Sequence, residues 1–389
     1  MPRAGTDRLR VVFLTHNYPR HPGDVAGGFL HPFALALVER GVDLRVVAPS
    51  DAGQGGDDLV DGIAVTRVRY AAPARERYAY TGNMTSAVRS PAGMLALLHL
   101  HTALRDGARA AAMGADRVVV HAHWWMPAAL AAPPELPMVV TCHGTDVRLL
   151  ESSGIARWLA RPPLRRARLV TTVSSALART IEARAGVRVP PDAIQPMPVP
   201  ALARPRSVGG GGIVVLGRLT AQKRIGIAIE AWAHARSAGL PWALTIVGDG
   251  PMRSALEAQA RAVAPDGGIT FRGAVAPSAV PAELAHADLM VMPAEREGLG
   301  LAAAEALMQG VPVVACSDGG GVLDVVQHGA GGRVVAPEAR ALAAAMLGSH
   351  ADSAARDAAW DAGQQWRARL APGFVADRAM TWYERALHG

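Results

Sequence analysis

Short runs of β-branched residues alternate with longer Ala- and Leu-rich stretches along nearly the whole chain, and that rhythm confines the fold to parallel α/β architecture. Strands are predicted near Val11–Thr15, Leu44–Ala48, Ile63–Val68, Val118–His121, Met138–Cys142 and Leu169–Val173. Helical segments such as His31–Arg40 and Met94–Met113 lie between several of them. A break follows. Six prolines stand between Pro190 and Pro205, and Gly209–Gly212 is a run of four glycines. So dense a proline run excludes helix and central strand, and the segment reads as an interdomain linker. The alternation then restarts with Ile213–Leu216, Leu244–Val247, Ile269–Phe271, Leu289–Met292, Val313–Ala315 and Arg333–Val335, with helices including Ile225–Ala238 and Leu301–Gln309. Two halves of similar length and rhythm imply two doubly wound, Rossmann-like domains, residues 1–203 and 204–373, facing each other across a cleft. Such sheets bind ligands beyond the carboxyl ends of their strands. The last segment, Phe374–Leu387, is long enough for a helix, and residues 374–389 are expected to cross back to the first domain.

A chain of 389 residues fits two domains, and half of it is hydrophobic, ample for a globular core. Cys142 and Cys316 are too few for a disulfide scaffold or a Cys-rich zinc module and fit a reducing compartment. The opening MPRAGTDRLR runs straight into VVFLT with no apolar stretch of signal-peptide length. The least charged stretches, Val118–Val147 and Gly298–Ser317, are broken by Pro or Gly and contain Glu135 and Glu305, so neither reads as a membrane span. A cytoplasmic protein is expected. The net charge is +7, and its make-up is more informative than its size. Of 40 basic residues all but Lys223 are Arg, and Asn17 and Asn83 are the only asparagines. In a background that drifts away from Lys, a retained Lys marks a place where the planar Arg fork does not serve.

Arg218 and Lys223 follow the strand Ile213–Leu216, just past its carboxyl end. Fixed cations there suit a diphosphate, with Arg forking onto oxygens and Lys acting as a point charge; the bland alternative is a solvated helix start. A second constellation, Glu297-Gly298-Leu299-Gly300-Leu301 running on to Glu305, follows the strand Leu289–Met292. Gly298 and Gly300 permit close backbone approach to a ligand at the positive end of the next helix, and Glu305 could accept from sugar or ribose hydroxyls. Two acids near a cleft also suggest a glycosidase pair, although one of them lies inside a helix.

Taken in order, Gly217-Arg218-Leu219 with Lys223-Arg224, Val247-Gly248-Asp249-Gly250-Pro251, Phe271-Arg272-Gly273, Glu297 to Glu305, and Gly310-Val311-Pro312-Val313-Val314-Ala315 form a distinctive series. It closely resembles the large family of retaining GT-B glycosyltransferases that carry the E-x7-E motif, the glycosyltransferase family 4 type. The first half agrees, with Gly27-Gly28, His121-Ala122-His123-Trp124 and His143-Gly144-Thr145-Asp146. One departure is Asp324, where the family usually shows Glu. The resemblance implies a GT-B fold and a role for each matching position. Arg218 and Lys223 bind the donor diphosphate and stabilise the leaving group, Glu305 holds ribose hydroxyls, and Glu297 holds the transferred sugar with help from the backbone of Leu299 to Leu301. Gly217 belongs to the same donor loop, and Gly248, Gly250 and Gly273 line the nucleobase side. His143 reaches the donor sugar, so His143, Arg218, Lys223 and Glu297 form the expected catalytic set. Asn17, Gly27, Gly28, Trp124, Trp125 and Asp146 fall on the phosphate or acceptor side.

Many nucleotide-sugar transferases hold a divalent cation on the diphosphate with a D-x-D pair. This sequence contains none, so no cofactor and no metal ion is expected. His121 and His123 have a spacing seen in some metal sites, but no carboxylate or Cys cluster accompanies them, and a strand end is the preferred reading. Trp124, Trp125 and Met126 either stack on an acceptor or pack in the core. Arg157, Arg161, Arg165, Arg166 and Arg168 surround Trp158 and could touch anionic lipid. Pro162-Pro163 is expected to interrupt a continuous amphipathic helix there, which favours a solvated basic face. Nucleic acid is not an expected partner, because the charge is dispersed and aromatics are few.

The expected activity is retaining, metal-independent transfer of a hexose or N-acetylhexosamine from a nucleoside-diphosphate sugar, a UDP-sugar ahead of GDP-mannose, to a hydroxyl acceptor. The acceptor classes are a saccharide, a lipid-linked saccharide or a small metabolite. A pyridoxal-phosphate phosphorylase needs a Schiff-base Lys, and Lys223 already sits in the diphosphate motif. A Rossmann oxidoreductase lacks its G-x-G-x-x-G after the first strand. A catalytically silent sugar-nucleotide-binding scaffold is the non-enzymatic alternative.

Overall fold

The computed structural model describes residues 8–21, 24, 26–76, 78–80, 84–199, 205–350 and 352–389. The chain divides into two compact units, Met1–Pro200 with Leu370–Gly389, and Ala201–Arg369. The expected boundary at 203/204 and the linker stretch 200–204 lie outside the described residues.

The first unit is built on seven strands: β1 (Arg10–Leu14), β2 (Asp43–Pro49), β3 (Gly56–Val60), β4 (Ile63–Val68), β5 (Val118–His123), β6 (Met138–Cys142) and β7 (Leu169–Thr172). Their order is β3-β4-β2-β1-β5-β6-β7, parallel except for the β3–β4 hairpin. β1, β5, β6 and β7 are buried at every position, as expected of strands covered on both faces. β3 was not expected from its sequence, Gly-Asp-Asp-Leu-Val. Four of its five residues are exposed, and backbone pairing to β4 rather than a buried face makes it a strand.

The helix Pro91–Ala112 starts where Ser90 accepts the N–H of Gly93 and Pro91 takes the first turn. It buries Ala96, Leu100, Leu104 and Ala108, a stripe at four-residue spacing. The helix Gly154–Arg166 corrects the expectation of a break, because it runs unbroken through Pro162-Pro163. Two internal N–H groups are lost there. Burial of Ala160, Pro163 and Leu164 and the bonds from Arg166 to the carbonyls of Pro133 and Ala132 hold the last turn nevertheless.

The second unit carries β8 (Ile213–Leu216), β9 (Leu244–Val247), β10 (Ile269–Gly273), β11 (Leu289–Met292), β12 (Val313–Cys316) and β13 (Gly332–Val335). They form a parallel sheet in the order β10-β9-β8-β11-β12-β13. Its core gathers Ile229, Trp232 and Leu240 with Leu289, Val314 and Met346. The glycine run expected to belong to the linker is docked instead: Asp288 accepts the N–H groups of Gly210 (2.9 Å) and Gly212 (2.8 Å).

The chain returns to the first unit in the helix Pro372–His388. Glu384 pairs with Arg117 at 2.7 Å, and Trp382 and Tyr383 are fully buried. Tyr383 Oη lies 2.8 Å from His121 Nδ1, His121 Nε2 lies 2.7 Å from Thr141 Oγ1, and Thr141 Oγ1 lies 2.6 Å from Thr171 Oγ1. Thr171 donates its proton to the Val140 carbonyl, which orders the whole chain. Thr141 donates to Thr171, His121 donates from Nε2 to Thr141, and Tyr383 donates to His121 Nδ1. Replacing Tyr383 by Phe leaves that imidazole acceptor buried and unpaired. Denaturant unfolding of Tyr383→Phe should show a loss of about 1–3 kcal/mol, confined to the first unit; wild-type stability would remove the tyrosine from this account.

Candidate functional site

In the second unit the strand order reverses between β8 and β11, and the loops that leave the carboxyl ends of these neighbours diverge around a crevice, the usual ligand position in such sheets. A small recess lined by Gly217, Lys223, Met292 and Pro293 opens there. Of the predicted donor residues, Gly217 and Lys223 line it. Lys223 Nζ lies 2.6 Å from Glu297 Oε1, and both side chains are largely buried. That carboxylate oxygen has no hydrogen bond of good angle, so the contact is an ion pair with acceptor capacity left unused. Gln222 donates to the carbonyl of Glu295 at 3.0 Å and accepts from its N–H at 3.1 Å through its own backbone carbonyl. Arg224 bonds the Pro293 carbonyl and pairs with Asp318 at 2.6 Å, drawing in the loop after β12. That bond holds the Asp318 carboxyl below its usual range. Arg218 is exposed and, among the described residues, holds no ion pair.

Gly248 shows why this loop needs glycine. A Cβ there would stand 2.0 Å from the Gly217 carbonyl oxygen, and its φ of +141° disfavours any side chain. The Gly217 N–H bonds Val247, Leu219 exchanges bonds with Asp249 and Met252, and Gly248 bonds Gly273 at 2.8 Å. Gly217, Gly248, Gly250 and Gly273 are thus parts of one backbone assembly beside the recess. On the other side Glu297 pairs with Gly320 by its backbone, and Gly300 enters the helix Leu301–Leu307 at a left-handed φ of +83°. A Cβ on Gly300 would meet Val322 Cγ2 at 2.8 Å. Gly298 and Leu301 are half-buried at this turn, Leu299 is buried, and Glu305 lies half-buried within the helix.

The first unit has its own site at the corresponding reversal, between β1 and β5. Asn17 follows β1, and the Gly27 backbone packs so closely on Asn17 that a Cβ there would lie 2.8 Å from its carbonyl oxygen. Gly28 connects Gly27 to Phe29, whose ring stands 5.2 Å from His143 and 5.7 Å from Trp124. Trp124 has φ +69°, an uncommon conformation for a bulky residue, and packs on His143 at 4.4 Å and on His16 at 4.1 Å. Trp125 does not reach this surface. It has no exposed area, and its indole N–H bonds the Asp146 carbonyl, so it is core. Asp146 is also buried. Its carboxylate accepts the N–H groups of His143 (3.1 Å), Gly144 (3.0 Å) and Trp125 (3.2 Å), and so shapes the turn that carries His143 rather than meeting a ligand. Burial raises the Asp146 carboxyl above its usual range despite these bonds.

His16 joins the site although no motif singled it out, and His123, read in the sequence as part of a strand end, joins it too. His16 Nδ1 and Asn17 Oδ1 are buried without partners, and His123 Nδ1 lies 3.1 Å from His143 Nε2. Their signal in the sequence was weak, a histidine just past β1 and an i, i+2 repeat on β5. Burial pushes His16 down to about 4 and His121 to about 3, and drives His123 and His143 well below the usual histidine range. All four are neutral at pH 7.

With this geometry in place, comparison with known proteins is direct. Residues 26–200 match the family described as Glycosyl transferase 4-like domain, and residues 210–352 match Glycosyl transferases group 1. A glycogen synthase of Mycobacterium tuberculosis is 29% identical, over 89% of this chain and 87% of its own. A 2-deoxystreptamine glucosyltransferase of Streptomyces kanamyceticus is 29% identical, over 70% of this chain and 78% of its own. The HepE protein of Anabaena, solved with UDP-glucose, superposes with a TM-score of 0.68 at 20% identity, covering 97% of this chain and 100% of that one. The chain belongs to the GT-B glycosyltransferases of the family 4 type. Its reaction class is glycosyl transfer from a nucleotide-sugar donor.

The neutral histidines have a pH consequence. Unfolded, each takes a proton below about 6.5; folded, His16 and His121 resist until about 4 and 3. The unfolded state therefore binds more protons throughout that window. Stability is full above about pH 6.5 and falls with acidification, by up to about 1.4 kcal/mol per pH unit for each histidine. Melting of the first unit followed from pH 7 to pH 4.5 should show this fall with proton uptake on unfolding, and a flat profile would contradict the burial of these rings.

Proposed function

We propose that this chain is a retaining, metal-independent glycosyltransferase that moves a hexose or N-acetylhexosamine from a nucleoside-diphosphate sugar, a UDP-sugar ahead of GDP-mannose, to a hydroxyl acceptor. A saccharide, a lipid-linked saccharide and a small metabolite are the acceptor classes. The observation that carries the reading is the pairing of Lys223 with Glu297 at the strand-order reversal of the second unit. That pair presents a cation for a diphosphate beside a carboxylate for sugar hydroxyls. Lys223 and Arg218 stabilise the charge that builds on the departing phosphate, a role a metal ion plays in D-x-D enzymes. Glu297 holds the sugar, Glu305 the ribose, and His143 the sugar from the first unit. The acceptor oxygen bonds to the anomeric carbon as the phosphate oxygen leaves, and that oxygen takes the acceptor's proton on the same face, so configuration is retained. The UDP preference is supported by the HepE protein, solved with UDP-glucose on the same fold.

A thermal-shift panel of UDP, GDP, ADP and TDP with their common sugar conjugates identifies the donor, since a ligand at 100 times its Kd adds about 2.7 kcal/mol. With that donor, Lys223→Ala should lose about a hundredfold or more in kcat while remaining folded. Excess chelator should leave the rate unchanged, and the product's anomeric configuration by NMR should match the donor's. Inversion overturns retention, and a chelated enzyme revived by magnesium overturns metal independence.

The proposal extends to attachment at an anionic membrane surface on the cytoplasmic side. No helix among the described residues is long and apolar enough to cross a membrane. The helix Gly154–Arg166, however, leaves Ile155 and Trp158 73% and 72% exposed, on the face that also carries Arg161 and Arg165. Exposed apolar side chains beside arginines fit the interface of an acidic bilayer. The protein should sediment with phosphatidylglycerol vesicles and not with phosphatidylcholine vesicles, and Ile155→Ser with Trp158→Ser should abolish this without lowering stability. Equal binding to both vesicle types, or to neither, overturns the attachment.

A further inference from the structure

Lys223 and Glu297 are each joined in the chain to an arginine with an unusual backbone. Arg224 follows Lys223, Arg296 precedes Glu297, and both have φ +46°. Among the described residues five other than glycine have a positive φ, and two of those five bracket this one ion pair. A left-handed backbone is unfavourable for a residue with a Cβ and persists where surrounding bonds over-determine it. Asp318, in the loop after β12, bonds to both arginines. Its carboxylate accepts from the two terminal nitrogens of Arg224, Oδ2 from Nη1 at 2.8 Å and Oδ1 from Nη2 at 2.6 Å. Its backbone carbonyl accepts the N–H of Arg296 at 3.0 Å. Arg224 Nε donates to the Pro293 carbonyl at 2.9 Å, so the guanidinium fork is fixed on two sides. The same loop continues along Glu297: the Gly319 carbonyl accepts the Glu297 N–H, and Gly321 donates to the Glu297 carbonyl, each at 2.8 Å.

We propose that Asp318 is a positioning residue for glycosyl transfer, which holds Arg224 in its left-handed conformation and thereby sets Lys223 against Glu297. Arg224 ends the turn Ala221–Lys223 and caps the helix Ile225–Ser237, so its backbone sets the angle between the turn that carries Lys223 and the helix behind it. The Lys223–Glu297 contact cannot fix that angle itself. Glu297 Oε1 has no hydrogen bond of good angle, and the contact is given up when a diphosphate takes the lysine and a sugar takes the carboxylate. Asp318 bonds the backbone of one loop and a neighbouring side chain of the other, so its hold does not depend on that contact. The inference rests on the transferase reading for its effect on turnover, but the geometry of the pair does not.

Lys223 is the only lysine of the chain, so protein grown on side-chain-labelled lysine gives a single Cε signal by NMR. Glu297→Gln removes the carboxylate charge and marks where that signal lies when the pair is broken. With no ligand present, Asp318→Ala should move the Lys223 signal toward the Glu297→Gln position. With the donor found by thermal shift, the same variant should lose about tenfold or more in kcat. Glycine takes a left-handed φ at no steric cost. Asp318→Ala combined with Arg224→Gly should therefore return the signal toward wild type and recover most of kcat, although it has fewer bonds than the single variant. A merely structural loss would deepen with the second change. An Asp318→Ala protein with the wild-type signal and kcat overturns the proposal, and so does a double variant no better than the single one. If Asp318→Ala does not fold, Asp318→Asn takes its place, with a smaller displacement of the signal in the same direction; an unmoved signal then overturns the proposal. Absence of transfer by the wild-type enzyme from any donor sinks the transferase reading and leaves the lysine signal to decide the role of Asp318.

Discussion

A parallel strand cannot turn back on its neighbour; it needs a crossover, and so every strand in such a sheet delivers its carboxyl end to the same edge. The functional geometry of this protein depends on that constraint. In the second unit the loops after β8, β9, β10, β11 and β12 all emerge together, which is why residues as distant in sequence as Lys223, Gly273, Glu297 and Asp318 become neighbours. The first unit repeats the arrangement with His16, Trp124 and His143 after β1, β5 and β6. Helix packing secures the sheets, but the sites are made of what lies just past the strand ends.

The two sites use opposite electrostatics. The second unit gathers charge: a Lys–Glu pair, an Arg–Asp pair and an exposed arginine, bound together by loop backbone. Glycine backbones carry that density because several of its contacts leave no room for a Cβ. The first unit suppresses charge, with histidines held neutral and an aspartate that spends its acceptors on backbone N–H groups. One unit thus gathers fixed charge beyond its strand ends, and the other gathers uncharged polar groups.

Strand positions were legible because parallel strands bury both faces and read as plain apolar runs, as with Val118–Val120 and Leu289–Met292. β3 was not, since Asp57 and Asp58 carry no apolar signal and pairing alone makes the strand. The unbroken helix through Pro162-Pro163 was equally hidden, because its support comes from the carbonyls of Pro133 and Ala132, outside the helix. The residues expected on the donor side stand out in the sequence as an ordered motif series, yet nothing in the series says that Lys223 and Glu297 touch. On the other side, Trp124 and Trp125 are identical neighbours in sequence. Only the backbone turn at Trp124 separates the one that faces His143 from the one that enters the core.

The bond from Tyr383 to His121 also fixes an order of events during synthesis. The first unit needs residues 370–389 to complete its core, and those residues leave the ribosome only after the whole of the second unit. The second unit is a single uninterrupted stretch and has every strand of its sheet before that helix exists. The amino-terminal half, although translated first, therefore waits for the carboxyl-terminal half, with His121 lacking its phenol partner and the groove for Trp382 open. A nascent chain of this architecture leaves the apolar seat of Trp382 and Tyr383 uncovered for as long as translation of the second unit lasts, and slow translation of that unit lengthens the exposure.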